Sequence, residues 1–166
     1  MTLAQLNACD RAHFVTAIGW IFEHSPWVAE RAWSSAPFAS TAQLHERMQE
    51  VVERAARDEQ MALLSAHPDL GTKISMTEAS AREQAGAGLA QMDEGTRARL
   101  QSLNQDYRAR FGFPFLYAVK GASAPAILAA LESRVGRAPD DEFREALAQV
   151  YRIAGFRLND AIDEER

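Results

Sequence analysis

Two residue patterns in this chain carry the chemistry most directly. The first is His67-Pro68, inside the string HPDLG. Imidazole exchanges a proton near neutrality and so suits general acid/base work. Proline pushes the residue before it out of the α region. The helix arriving through Met61, Leu63 and Leu64 must therefore stop at or just before His67. That leaves the ring at a helix exit on a stiff backbone, exposed and not packed. The second pattern is Ser80-Ala81-Arg82-Glu83, followed by Gln84. It fits a capping box with Ser80 as N-cap and Glu83 at the third helical position. Such a start offers unpaired N–H groups and a positive dipole end to an anion. A blander reading, with His67 as a turn residue and Glu83 as only a cap, stays open on these residues alone.

Other candidates are weaker. His45-Glu46 invites a metal reading, but the zincin pattern needs a second histidine where Gln49 stands. A solvated helix face fits better. Gly86 and Gly88 do not make a dinucleotide fingerprint, because no strand precedes them; they predict a broken helix or a close approach. Trp27 and Trp33 read as core or interface anchors, with ligand stacking as the alternative. Residues 113–119 are the most apolar run. With no comparable strand to pair with, they predict an extended segment crossing the core. Its backbone groups would be free for a polar ligand.

The elements that must position these groups read as helices. Asp10 is placed to cap one with Phe14, Ile18, Ile21 and Phe22 on its apolar face. Ser25 before Pro26, Ser40 with Gln43, Asp58, Asp93 and Ser123 mark further starts. Gly112 is placed to end the helix carrying Leu100, Leu103, Tyr107 and Phe111. The stretch from Thr72 to Thr77 reads as a loop. The last helix begins at Pro139, with Phe143, Leu147, Val150, Tyr151, Ala154, Leu158 and Ile162 along its apolar line. Arg152 and Arg157 fall off that line and could be surface charges. The prediction is an all-α fold: a single compact domain over residues 1–166 with about seven to eight helices.

Composition narrows the function. Hydrophobic residues make up 47% and charged residues 25% of 166 positions, ordinary for a globular chain with an ample core. A net charge of −5 argues against nucleic acid or an acidic membrane surface as partner. It also means that an anionic ligand needs locally placed cations. The one cysteine, Cys9, permits no internal disulfide and fits a reducing compartment. No apolar run suffices for a transmembrane helix, and neither terminus reads as a targeting signal. The expected location is the cytoplasm.

Four strings recur in order: HPDLG, SAREQAGAGL, LNQDYRARFGFPF and RIAGFRL, with LNACDRAHF and SPWVAERAW ahead of them. Together they closely resemble the 2-oxo-4-hydroxy-4-carboxy-5-ureidoimidazoline (OHCU) decarboxylase family, the last step from urate to allantoin. The resemblance implies His67 as acid/base and Glu83 as its partner or the partner of the reacting carbon. It implies substrate binding by Pro68, by Ser80, Ala81, Arg82, Glu83 and Gln84, and by backbone groups of Phe115, Leu116, Tyr117, Ala118 and Val119. Arg157 would be the cation for a small anionic substrate. No metal and no organic cofactor is implied, since the substrate's own C=N bond takes up the electrons, and the family expectation is a homodimer. The alternatives are a decarboxylase of another small carboxylate, or a non-catalytic dimeric helical binding module.

Overall fold

The computed structural model describes residues 1–71 and 77–163, and these form an all-α protein. Nine α-helices stand among the described residues, one or two more than the periodicity predicts. The unanticipated one is α1 (Leu3–Asn7), held by a capping box in which Thr2 and Gln5 exchange bonds. Asp10 accepts from the His13 N–H at 2.9 Å and starts α2 (Arg11–Ile18) as expected. The next start differs. Ser25 does not cap, because its hydroxyl donates to the Glu23 carbonyl at 2.8 Å; α3 (Trp27–Ala32) begins after Pro26 with no side-chain cap. Ser40 does cap α4 (Thr41–Arg54), accepting from Gln43 at 3.0 Å.

Asp58 lies inside the first turn of α5 (Arg57–Ser65), not at its cap. Glu59 instead reaches back to the Ala56 N–H at 3.1 Å. Helix α6 (Glu78–Gly86) stops before Gly88, which takes a left-handed φ of 75°, so the glycine pair marks a break. Asp93 caps α7 (Glu94–Phe111) by accepting from Thr96 at 2.7 Å, and left-handed Gly112 ends it. The bonds from Thr96 hold the Asp93 carboxyl below the ordinary carboxylate range. The stability from that cap is therefore present above the ordinary value and lost as pH falls through the depressed one. Ser123 caps α8 (Ala124–Arg134). The last helix, α9 (Pro139–Ala161), is the longest at 23 residues.

The chain divides into two compact units, one of residues up to Ala66 plus those from Tyr151 on, the other from His67 to Val150. In the first unit Leu6, Phe14, Phe22, Leu44, Met48 and Leu64 are buried completely or nearly so. His45 is not on a solvated face: its Nε2 lies 2.7 Å from the Tyr151 carbonyl, and it packs against Gly155. Trp33 donates its indole N–H to the Cys9 carbonyl at 3.2 Å, while Arg31 covers the Trp27 ring at 4.6 Å. Both tryptophans thus have structural work within this unit.

The core of the second unit is aromatic, with Tyr107 in contact with the rings of Phe111, Phe113 and Phe115. A buried polar knot sits among them. Arg134 is 7% exposed and Glu142 fully buried. The guanidinium donates to the carboxylate from Nε at 3.1 Å and from Nη2 at 2.9 Å. Arg137 adds a bond at 3.2 Å, and the Tyr107 hydroxyl donates to the same carboxylate. Burial and that carboxylate push the Tyr107 hydroxyl well above its ordinary pKa, so it remains a donor. Breaking one side of a buried pair strands the other charge. Glu142→Gln should therefore cost ~3–5 kcal/mol of unfolding free energy. Arg144→Ala, which removes an exposed pair with Asp141, should cost at most ~1 kcal/mol. Urea denaturation of both variants checks this; equal small losses would mean the knot adds no net stability.

Candidate functional site

The chain leaves α5 after Ser65, as the proline rule requires, and reaches His67 two residues on. The imidazole is not exposed, as the sequence suggests; it is 6% exposed, with Pro68 half-buried beside it. The three residues that follow are held closely as well. Residues 69–71 are drawn down by side chains from two helices. Gln84 of α6 accepts from the Gly71 N–H at 2.9 Å. From α7, Arg97 donates to the Gly71 carbonyl at 3.0 Å and Asn104 donates to the Leu70 carbonyl at 3.0 Å. Arg108 pairs with the Asp69 carboxylate, also at 3.0 Å. A loop without a strand ladder thus has three successive backbone groups and one side chain tied down.

The start of α6 lies three residues earlier than the capping-box reading. Thr77 is the N-cap and accepts from the Ser80 N–H at 3.2 Å. Ser80 is therefore the third helical residue and its N–H is already taken. The Ala81 N–H is taken too, by the Thr77 carbonyl at 2.9 Å. The anion seat expected at 80–84 is not formed by those backbone groups. The side chains divide instead by helical spacing: Ser80 and Gln84, four apart, are buried; Glu83 is half-buried; Ala81 and Arg82 are exposed. The rest of the loop expected over 72–77 lies outside the described residues.

Residues 113–119 form the expected extended, buried segment, with no strand partner among the described residues. Three of its backbone groups are not free, however. Arg134 donates to the Leu116 carbonyl at 2.6 Å, and Gln149 accepts from the Ala118 N–H at 2.9 Å. The Val119 carbonyl closes a turn with the Ala122 N–H at 2.9 Å. Half-buried Tyr117 lies between these tethers, stacked against Phe115 at 6.1 Å. Its backbone N–H and carbonyl take no hydrogen bond among the described residues.

Arg157 belongs to the first unit and is no surface charge: it is 4% exposed, whereas Arg152 is exposed. Five residues turn a helix through about 140°, which puts the two on different faces. Arg157 donates to Glu23 at 2.9 Å and to the Ile21 carbonyl at 3.2 Å. Part of its fork therefore serves to hold the guanidinium in place. Among the described residues no group of three or more His, Cys, Asp or Glu is arranged to hold a metal ion.

Sequence reasoning missed Arg97, Asn104 and Arg108 as loop holders, and Arg134 and Gln149 as holders of the extended segment. Their spacing carried a faint signal. Positions 97, 100, 104 and 108 recur at three or four along one face of α7, mixing polar with apolar residues.

Known proteins are similar to this chain in sequence and fold. A family model described as OHCU decarboxylase matches residues 7–159. A Haloferax volcanii protein named 2-oxo-4-hydroxy-4-carboxy-5-ureidoimidazoline decarboxylase is 49% identical over 165 residues, covering 99% of this chain and 98% of its own. A Halalkalicoccus jeotgali protein of the same name is 43% identical, covering 96% of this chain and 91% of its own. The solved structure of an (S)-allantoin synthase superposes with a TM-score of 0.82 at 34% identity, covering 98% of this chain and 55% of that one.

The tied loop depends on one backbone conformation. Gly71 has φ +75°, and a Cβ there would stand 2.8 Å from Leu100 Cδ2 and 3.0 Å from Met92 Cε. Gly71→Ala should lose ~1–2 kcal/mol from the left-handed backbone alone. Gly136→Ala, where an added Cβ meets nothing within 4 Å, should stay within ~0.5 kcal/mol of wild type. Thermal unfolding of the pair decides it; two equal shifts would mean that Gly71 is not conformationally required.

Proposed function

The chain belongs to the OHCU decarboxylase family, and we propose that it is a carboxy-lyase of urate degradation. It converts OHCU to (S)-allantoin and CO2 with His67 as the acid/base. The observation that carries this reading is the family match across residues 7–159, which takes in all four motifs. The placement of His67 supports it: a buried imidazole beside a proline, on a loop whose next residues are held from two helices.

The substrate explains why so few groups suffice. OHCU carries a carboxylate and a hydroxyl on one ring carbon, next to a C=N bond. When the bond to the carboxylate breaks, its electron pair forms a C=C bond and displaces the imine pair onto nitrogen, which takes a proton. The enol so formed loses its hydroxyl proton and gains one at the neighbouring carbon. The molecule is its own electron sink, so pyridoxal phosphate, thiamine or a metal has no necessary part. What remains for the protein is orientation and proton handling. His67 takes the hydroxyl proton or delivers one to a single ring face, which sets the (S) configuration. Glu83 pairs with His67 or faces the reacting carbon.

The remaining assignments are refined by the geometry. Pro68 lines the site next to His67. Within 80–84 the buried side chains of Ser80 and Gln84 are better suited to a ligand's polar edge than exposed Ala81 and Arg82. Gln84 also ties Gly71, so it links that edge to the loop. From Phe115, Leu116, Tyr117, Ala118 and Val119 we single out the Tyr117 backbone for the ureido group. Arg157 is the proposed cation for the substrate anion. Its bonds to Glu23 and Ile21 preset the fork, so its contribution is directional hydrogen bonding more than net charge. The proposal includes a homodimer acting in the cytoplasm, on the family resemblance alone; light scattering reads the first. Among the described residues no helix is long and apolar enough to cross a membrane.

Turnover of freshly generated OHCU tests the central assignment. His67→Asn should lower the rate ~10²–10⁴-fold while circular dichroism stays native. The wild-type rate should be the same with and without chelator. Near-normal turnover in the variant would remove His67 from the chemistry, and a chelator-sensitive rate restored by metal would overturn the cofactor-free mechanism.

Arg157→Lys keeps the charge and loses the planar fork. It should cost ~1.5–3 kcal/mol of transition-state stabilisation, the scale of a hydrogen bond to a charged group. Arg152→Lys, at an exposed position, should leave kcat/KM unchanged. Equal effects in both variants would leave the anion without its proposed partner.

A further inference from the structure

Asn104 lies in the middle of α7 at 4% exposure, in line with the buried side chains of Leu100, Leu103 and Tyr107. Its amide is only half satisfied. Nδ2 donates to the Leu70 carbonyl at 3.0 Å, while the buried Oδ1 has no hydrogen-bond partner among the described residues. A buried polar group left in that state is worse for folding than an apolar one of the same shape. Leucine has nearly that shape, and its neighbours on the stripe are apolar. Helix packing alone therefore gives no reason for an amide at this position. What the amide does is grip one carbonyl, three residues after His67.

We infer that Asn104 is a positioning residue for His67, acting through the Leu70 carbonyl. The inference rests on the reading of His67 as acid/base. Its neighbours in the tether hold Gly71 on both sides, from Gln84 and from Arg97. Arg108 holds Asp69 through a partly exposed ion pair. Asn104 supplies the buried central bond, the one that fixes how deep the loop sits on α7. Releasing it lets residues 67–70 lift without unfolding the helix beneath. A displacement of about 1 Å at a catalytic group is enough to cost ~10²-fold in rate.

The test uses the full chain, freshly generated OHCU and two substitutions. Asn104→Leu should fold, with Tm unchanged or raised by up to ~4 °C. Its kcat should fall ~10–100-fold with KM nearly unchanged. In Asn104→Asp the carboxyl can donate to the Leu70 carbonyl only while protonated. Its kcat relative to wild type should therefore recover as pH falls and drop as pH rises. The titratable and charged groups around the tether, His67, Asp69, Glu83, Arg97 and Arg108, are the same in both proteins, so the ratio to wild type isolates the substituted side chain. The inference is overturned if Asn104→Leu keeps kcat within about twofold of wild type. It is equally overturned if that variant fails to fold or loses Tm in step with kcat, or if the Asn104→Asp ratio is flat with pH. Full turnover in His67→Asn would sink the acid/base reading instead. Full turnover in Asn104→Leu beside a dead His67→Asn would sink only the positioning role.

Discussion

The second unit depends on one buried guanidinium. Arg134 makes a forked contact with Glu142, reaches the Leu116 carbonyl with Nη1, and lies with its Cζ 4.6 Å from the centre of the Phe115 ring. Through Glu142 it also gathers Tyr107, so α7, α8, α9 and residues 113–119 meet at one charge pair. Replacing such a pair wholesale by apolar groups is often neutral for stability. Its value here lies in direction. An extended segment without a strand partner must have its carbonyls and N–H groups received somewhere. A planar fork can receive one while staying neutralised by a carboxylate behind it. Gln149 does the same for the Ala118 N–H from α9. Tyr117, between the two tethers, is held in place by bonds it does not make itself.

The fold was largely legible in the sequence, because the helix starts are local. Asp10, Ser40, Asp93 and Ser123 cap where spacing predicts, since an acceptor side chain and an N–H three residues on are all a cap needs. Ser25, Asp58 and Ser80 fail for an equally local reason. Each has a competing acceptor or start within one turn, and pattern alone cannot choose between them. At Ser80 the competitor is Thr77, whose extended backbone at φ −63° and ψ 155° lets its hydroxyl take the Ser80 N–H.

The candidate site was legible by residue type and not by surroundings. His67 before Pro68 announces a stiff histidine, but not that the ring is buried, nor that the residues after it are held by α6 and α7, whose loop contacts stand 13 to 39 residues away in sequence. Arg157 shows the same limit more sharply. Its partner Glu23 is 134 residues distant, and no helical period relates them. Periodicity therefore left Arg157 open between surface charge and site cation, where the structure has a buried, oriented donor.

A helical protein faces a particular constraint in holding a loop against a helix. A sheet offers a ladder of backbone groups along its edge; a helix has used its own. Any loop lying across a helix must be bound by side chains. They have to be long or amide-bearing, and they must sit on the packed face, where amphipathic design calls for apolar residues. Helix α7 meets this requirement. Arg97, Leu100, Asn104 and Arg108 run antiparallel to the loop they hold, meeting Gly71, Gly71, Leu70 and Asp69 in turn. The polar members look like flaws in an apolar stripe if the helix is considered alone, and as the loop's missing ladder once the pairing is seen. In an all-α chain, polar residues recurring at three and four along a line that runs from a buried face to its margin therefore point to a backbone segment lying across the helix. Here that segment begins at the histidine.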